Sequence, residues 1–547
     1  MQPIQEVAFP TLSKGEFDLV KTLATACDYA DGETVFRAGE AEVDLYIVES
    51  GQIEIRNPTD DDRVIVTHEP GQFSGDIDLL TGRPVIVTGV AKGKTRAWRV
   101  AHSNLRSILN RVPTLGEKLI VAFTRRRELL AASGVSGLRV IGAGRCRDTN
   151  TVREFLYKNF VPFRWLDIET EEGQAAFKAV GSPSKTPVIE CGNGRVLANP
   201  SLRELANEAG IWKHCPSREV DFAIVGAGPA GIAAAVYAAS EGLSTLMLDR
   251  LGPGGQAGGS SRIENFMGFP AGLSGADLAS RGILQMLKFG AQIVTPVVVE
   301  KLTPAKTVGD FHLLHLDCGA EIRCRVVLLA LGVLWRRLEA TGADRFTGAG
   351  VYYACTTVEA DLYDGTDVAV VGAGNSAGQA VMFLSECCPA RKVHLLIRRT
   401  LGPGMSEYLS SRIKSARNVV IHEQTEIESV AGDRRPERIT LKNNATGQQQ
   451  EIPCSALFIF IGATPAADWL PPEIGRDTNG YLLTGTDVVR SGRWPCANRD
   501  PCPLETTIPG VLAAGDIRAG STKRVGFAVG DGSLAVTCAH RLLSITR

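Results

Sequence analysis

The chain has 547 residues, with Lys+Arg 59 against Asp+Glu 60 and a net charge of -1, so nothing global points to nucleic acid or an anionic membrane as a partner. That length allows about three or four domains with cores of their own; the 13 cysteines, an odd number without framework spacing, suit free thiols in a reducing cytoplasm more than structural disulfides. The opening Met1-Gln2-Pro3-Ile4-Gln5-Glu6 has neither the basic flank nor the apolar run of a secretory signal, and the uncharged stretch 222–240 is broken by Gly226, Gly228, Pro229 and Gly231, so it reads as strand, turn and buried helix, not as a membrane span.

From residue 9 to about 100, short apolar runs alternate with glycine turns: Thr34-Val35-Phe36, Leu45-Tyr46-Ile47-Val48, Gln52-Ile53-Glu54-Ile55 and Val64-Ile65-Val66. This spacing predicts a small antiparallel jelly roll, and Leu115 to Leu130 has the periodicity of an amphipathic helix. The order Gly39, Leu45-Tyr46-Ile47, Gly51, Pro70-Gly71-Gln72-Phe73, Gly75-Asp76 and Leu79-Leu80-Thr81-Gly82 resembles the cyclic-nucleotide-binding domain family. The resemblance implies a loop that holds the cyclic phosphate through an arginine and the ribose through an acidic residue. Asp76 fills the acidic position, but Val85 stands at the arginine position, with Arg83 two residues away. Losing a charge-assisted contact to a buried phosphate costs about 1.5–3 kcal/mol, so cyclic-nucleotide binding is doubtful, and a degenerate scaffold or a different ligand is the expectation.

Residues 136–215 read as strand Leu138–Ile141, helix Thr149–Asn159, strand 163–168, helix 173–180, strand 186–190, a Gly192-Asn193-Gly194 turn and a helix from Ser201 to Gly210. This order resembles a glutaredoxin-like thioredoxin fold, with Thr186-Pro187 at the family's cis-proline. The alignment implies Cys146 at the nucleophile position and Thr149 where the resolving cysteine belongs. A thiol ahead of a helix N-terminus can be activated, yet one cysteine cannot cycle an internal disulfide. The module is therefore either a retired spacer or a monothiol relay through Cys146.

Two glycine-rich strand-to-helix turns follow. Gly226-Ala227-Gly228-Pro229-Ala230-Gly231 comes after Phe222-Ala223-Ile224-Val225, and Gly372-Ala373-Gly374-Asn375-Ser376-Ala377 after Val368-Ala369-Val370-Val371. Such turns let backbone N–H groups and a helix N-terminus meet a pyrophosphate. About 20 residues on, the first unit offers Asp249 and the second Arg398 and Arg399. A carboxylate suits a free ribose 2′-hydroxyl, and an arginine pair suits a 2′-phosphate. The pattern predicts one unphosphorylated dinucleotide and, separately, NADP.

From about Arg218 onward the chain resembles the low-molecular-weight thioredoxin reductases, two-dinucleotide flavoproteins. The matching pieces are the first turn with Asp249, Gly254-Gly255-Gln256, Ile263-Glu264-Asn265-Phe266, Ala330-Leu331-Gly332, Phe458-Ile459-Phe460-Ile461-Gly462, and Val511-Leu512-Ala513-Ala514-Gly515-Asp516 followed by Lys523-Arg524-Val525. The resemblance implies FAD held by Gly226, Gly228, Pro229, Ala230, Gly231, Asp249, Gly255, Gln256, Asn265, Gly515, Asp516, Arg524 and Val525. It implies NADPH held by Gly372, Gly374, Asn375, Ser376, Arg398 and Arg399, although Ile397 replaces the family's histidine before the arginine pair. A homodimer is also implied.

The expected architecture is multidomain: a β jelly roll plus helix (1–135), a thioredoxin-like α/β module (136–215), and α/β with two Rossmann-type domains. Of these, the FAD domain is discontinuous (218–332 and 463–547) around an NADP domain (333–462).

The family's Cys-x-x-Cys falls here on Cys355-Thr356-Thr357-Val358. Disulfide exchange needs two thiols, so Cys355 alone is an incomplete redox site. Cys496 and Cys502 form a C-x5-C pair that could close a disulfide or be two unrelated thiols. No metal-ligand spacing is present. The function implied is an FAD-dependent NADPH oxidoreductase, with a non-catalytic redox or nucleotide sensor as the competing class. The electron acceptor stays open among a protein disulfide, a small molecule and dioxygen.

Overall fold

The computed structural model describes residues 4–58, 60–132, 137–211, 218–260, 262–307, 310–355, 357–402 and 404–545. Cys215 and Thr356 thus lie outside the described residues, as do the side chains of Thr357 and Val358. The chain divides into two compact units: Met1–Gly142, Phe155–His214 and Leu284–Pro296; and Ala143–Glu154, Cys215–Ile283 and Val297–Arg547.

The first unit opens with an antiparallel sheet in the order Thr25–Tyr29, Thr88–Val100, Leu45–Asn57, Arg63–His68, with Thr34–Phe36 also on Thr88–Val100. Where the sequence suggests two strands separated by a turn at Gly51, there is one strand, Leu45–Asn57, whose register shifts between Val48 and Gln52. Gly51, at φ +77, makes this a bulge: a Cβ there would lie 2.5 Å from Thr95 Oγ1. The long partner Thr88–Val100 escapes sequence reading because Lys92, Lys94, Arg96 and Arg99 interrupt its apolar alternation. The amphipathic helix runs Pro113–Ala132 and puts Phe123 edge-on to Phe73 of the loop, with ring centroids 6.1 Å apart.

A four-stranded sheet follows, in the order Phe163–Leu166, Leu138–Ile141, Val188–Cys191, Val196–Ala198; the first pair is parallel and the rest antiparallel. Thr186-Pro187 is a cis peptide.

In the second unit, strand Arg218–Val225 pairs in parallel with Thr245–Leu248 on one side and Glu321–Leu329 on the other. The outer edge of Glu321–Leu329 is shared: His312–Leu316 takes its first half and Val511–Ala513, nearly two hundred residues on, its second. The last segment of the chain thus returns to the sheet of the first glycine turn. A separate parallel sheet, in the order Val351–Tyr352, Ala456–Ile459, Val368–Val371, Val393–Leu396, Val419–His422, carries the second turn. Two strands, Val333–Trp335 and Ala463–Pro465, join the sheets as an antiparallel pair.

The helix Pro229–Ser240 is built mainly of Ala, Gly and Val and is buried along most of its length. The closing helix Val525–Ile545 lies against it so tightly that a Cβ on Gly532 would fall 2.2 Å from Ala230 O. Two residues earlier, a Cβ on Gly530 would meet nothing within 4 Å. Gly532→Ala is therefore expected to destabilise the protein by about 1–3 kcal/mol through overpacking, whereas Gly530→Ala gains about 0.5–1 kcal/mol of helix propensity. Chemical denaturation of the two variants checks the contrast, and equal effects would refute it.

Candidate functional site

The first turn is closed by backbone contacts that leave no room for side chains. Gly226, at φ +108, would place a Cβ 2.3 Å from Ala330 O, and a Cβ on Gly231 would sit 2.0 Å from Gly226 O. Gly228 caps the helix Pro229–Ser240 with no side-chain hydrogen bond, so no cap side chain takes up the N–H groups that follow Pro229. Gly255 packs its backbone against Gly228, with the hypothetical Cβ 2.9 Å from Gly228 Cα, and Gly254 N donates to Ala227 O at 2.8 Å. Gln256 Nε2 donates to Val333 O. Gly515, at φ +75, brings the returning segment to within 3.1 Å (Cβ position) of Ala230 Cβ.

Asp249 follows the strand Thr245–Leu248. Its Oδ2 accepts from Ala227 N (2.8 Å), and its Oδ1 from Leu251 N (2.9 Å) and Gly252 N (2.8 Å). Three of about four acceptor positions therefore organise the turn itself, leaving one for an incoming hydroxyl. Asp516 differs: its carboxylate has no hydrogen-bond donor among the described residues, burial pushes its pKa up, and Lys523 pulls it back. A half-buried carboxylate without a donor wants one, and a ligand hydroxyl would supply it.

Asn265, Arg524 and Val525 line one cleft of about 480 Å³ at the start of the closing helix, together with Phe527 and Asp531. Asp531 escaped sequence reading because it lies inside a helical run. Its Oδ2 accepts from Gly515 N (2.9 Å) and pairs with Arg518 Nε (3.1 Å), so it fixes the turn that carries Asp516. A glycine-bounded cradle, free helix N–H groups and an unsatisfied carboxylate together fit a pyrophosphate dinucleotide such as FAD.

The second turn repeats the first. A Cβ on Gly372 (φ +145) would lie 2.5 Å from Phe460 O, and Gly374 caps the helix Asn375–Cys387 without a side-chain bond. Asn375 Oδ1 accepts from Ser406 N at 2.7 Å, and Ser376 is exposed. Arg398 and Arg399 follow the strand Val393–Leu396 and are both exposed; Arg398 has only a loose contact, 3.9 Å, to Glu426. The pair is open to an anion.

Cys355 sits elsewhere in chemical terms. It is 3 % exposed and packed in the core beneath the second turn, among Tyr352, Ala360, Tyr363 and Val381. Burial pushes its thiol well above the ordinary range, and the neighbouring Glu359 and Cys387 push the same way. Its backbone bridges to Ser260, beside the Gly255-Gln256 segment. Cys146 is half-buried ahead of helix Arg147–Lys158, and Thr149 is buried with no partner for its hydroxyl. Cys502 neighbours Cys538 of the closing helix, both residues buried, beside Glu505, which takes a two-point ion pair from Arg499 (2.7 Å each). Among the described residues no group of three or more His, Cys, Asp or Glu is placed to hold a metal, and no helix is long and apolar enough to cross a membrane.

Residues 220–532, more than half the chain, match the family model described as pyridine nucleotide-disulphide oxidoreductase. The chain belongs to that family. It is an NADPH-dependent oxidoreductase homologous to the thioredoxin reductases, with FAD and NADPH as the cofactors of the family. The thioredoxin reductase of Treponema pallidum (strain Nichols) is 31% identical over 321 residues, covering 59% of this chain and 96% of the relative. The NADPH-dependent thioredoxin reductase 3 of Arabidopsis thaliana is 31% identical, covering 59% of this chain and 58% of the relative. The crystal structure of T. acidophilum thioredoxin reductase superposes with a TM-score of 0.53 at 27% identity, over 60% of this chain and 100% of that one. Residues 27–112 match the cyclic nucleotide-binding domain model.

Burial and raised pKa make Cys355 a slow nucleophile. Brief alkylation of the native protein near pH 8 is expected to label exposed Cys387 while leaving Cys355 unmodified until denaturant is added. Peptide mapping that finds Cys355 labelled first would contradict the geometry.

Proposed function

We propose that this chain oxidises NADPH through FAD and delivers the electrons to an acceptor without a local dithiol. The observation that carries the reading is Cys355: a single thiol sealed in the core, with valine at position 358 where the resemblance implies a second cysteine. When bound, FAD accepts a hydride and supplies the redox chemistry. The protein binds and orients. In this reading the FAD domain comprises 218–332 and 463–547 and the NADP domain 333–462. Gly226, Gly228, Pro229, Ala230 and Gly231 present N–H groups to the pyrophosphate, with Asp249 at the ribose. Gly255, Gln256 and Asn265 stand beside the flavin. Gly515 and Asp516 hold the ribityl chain, and Arg524 and Val525 the pyrimidine end.

Gly372, Gly374, Asn375 and Ser376 cradle the second pyrophosphate, and Arg398 with Arg399 take the 2′-phosphate. Acceptors consistent with a missing dithiol are dioxygen, a quinone or a one-electron carrier protein; a disulfide would need a cross-domain cysteine. The twelve cysteines among the described residues are free, which suits a reducing cytoplasm, and a homodimer is part of the same reading. A sensor role, in which the N-terminal domain regulates the flavoprotein, draws support from the cavity inside the jelly roll.

Anaerobic titration with NADPH tests the core of this. Two electrons per flavin are expected; four would reveal a working disulfide, and a Cys502→Ser variant would say whether the Cys502/Cys538 pair supplies it. Replacing both arginines, Arg398→Gln with Arg399→Gln, is expected to raise the KM for NADPH about 10–100-fold, the loss of one or two charge-assisted contacts, and to leave that for NADH unchanged. Equal effects on the two nucleotides would assign the phosphate contact elsewhere.

A further inference from the structure

The jelly roll and the helix Pro113–Ala132 line a half-open cavity of about 610 Å³, within the range of small-molecule sites. Its walls are mostly apolar, including Phe36, Ile55, Val66, Val85, Ile86 and Leu130. What a cyclic nucleotide would need is missing. Val85 occupies the wall where a phosphate-binding arginine is implied. Asp76 is paired with Arg127 at 2.8 Å and accepts from Asp78 N at 2.9 Å, so part of its acceptor capacity is spent within the domain. Arg83 is half-buried and donates to Asn159 O, and it does not line the cavity.

One cation does line it. Arg126, on the helix Pro113–Ala132, is 5 % exposed; its Nε donates to Ala8 O (2.7 Å) and its Nη1 to Gly75 O (2.7 Å), while Nη2 has no partner. Next to it His68, 2 % exposed, leaves Nδ1 unpartnered and is kept neutral by burial and by Arg126. The lining carboxylates are paired or solvated, and the charge of Asp76 is shared between Arg127, which pairs with it, and Arg126, so Arg126 is only partly neutralised. Asp44 is paired with Arg99 (3.6 Å), Asp76 with Arg127, and Glu6 and Glu69 are exposed to solvent. A buried guanidinium with an unused donor selects a negatively charged acceptor; apolar walls select an apolar body.

We propose that this cavity is a binding site for an apolar monocarboxylate, with Arg126 holding the carboxylate and the strand residues enclosing the chain or ring. Calorimetric titration of the full-length protein with decanoate, decanol, 1-naphthoate and cyclic AMP tests it. Decanoate or naphthoate is expected to bind, with cyclic AMP silent at millimolar concentration. Arg126→Gln should weaken the carboxylate at least about tenfold and leave decanol unchanged. Val66→Trp, which fills the cavity from a half-buried wall position, should abolish binding of both while the thermal midpoint shows the domain still folded. The proposal is overturned if cyclic AMP binds more tightly than either carboxylate, if Arg126→Gln binds carboxylate and alcohol as the parent does, or if no carboxylate binds.

Discussion

Close approach of backbone to backbone is the constraint on which the flavoprotein half depends. At Gly226, Gly231, Gly372 and Gly532 an added Cβ would lie 2.0–2.5 Å from a carbonyl oxygen, that of Ala330, Gly226, Phe460 or Ala230. The contacts at the two glycine turns bring the helix N-termini up to the strand ends, the geometry in which helix N–H groups can meet an anion. They also seat the closing helix on the first, and Asp531 of that helix fixes the turn that holds Asp516. A single extra carbon at any of these positions must move main chain, because a carbonyl cannot rotate away as a flexible side chain can.

Burial decides the chemistry of the thiols. Most of the cysteines with shifted pKa are pushed up by desolvation, Cys454 to about 12 and Cys191 to about 12, and Cys355 likewise well above the ordinary thiol range. Cys502 goes the other way, drawn down by the hydrogen bond from Cys538. In the proposed reading, the nucleotide-binding turns work without a dithiol beside the buried Cys355. The two are physically independent: one is made of glycine turns and carboxylates, the other of two sulfurs within bonding distance.

The nucleotide turns, their order and the return of the final strand are legible in the sequence because glycine without Cβ and apolar four-residue strands are local signals. So is the valine at 358. The register of Leu45–Asn57, the strand Thr88–Val100, the Cys502–Cys538 contact and the support that Asp531 gives to Gly515 are not, since each is made by residues far apart in the chain or by a strand whose charged side chains mask its period. Asp249 is half legible: its position is marked by spacing, but the three backbone donors it satisfies emerge only from the folded turn. The reading of Asp76 changes likewise, because Arg127 arrives from a helix fifty residues on.

The central claim is that hydride passes between two bound nucleotides with no thiol taking part. Its most direct test is the anaerobic stopped-flow rate of flavin bleaching by NADPH in the Cys355→Ser protein. The account predicts a rate within about twofold of the parent, as for a residue outside the reacting groups. A loss of about tenfold or more, with flavin content and fold intact, would place Cys355 in the electron path and contradict it.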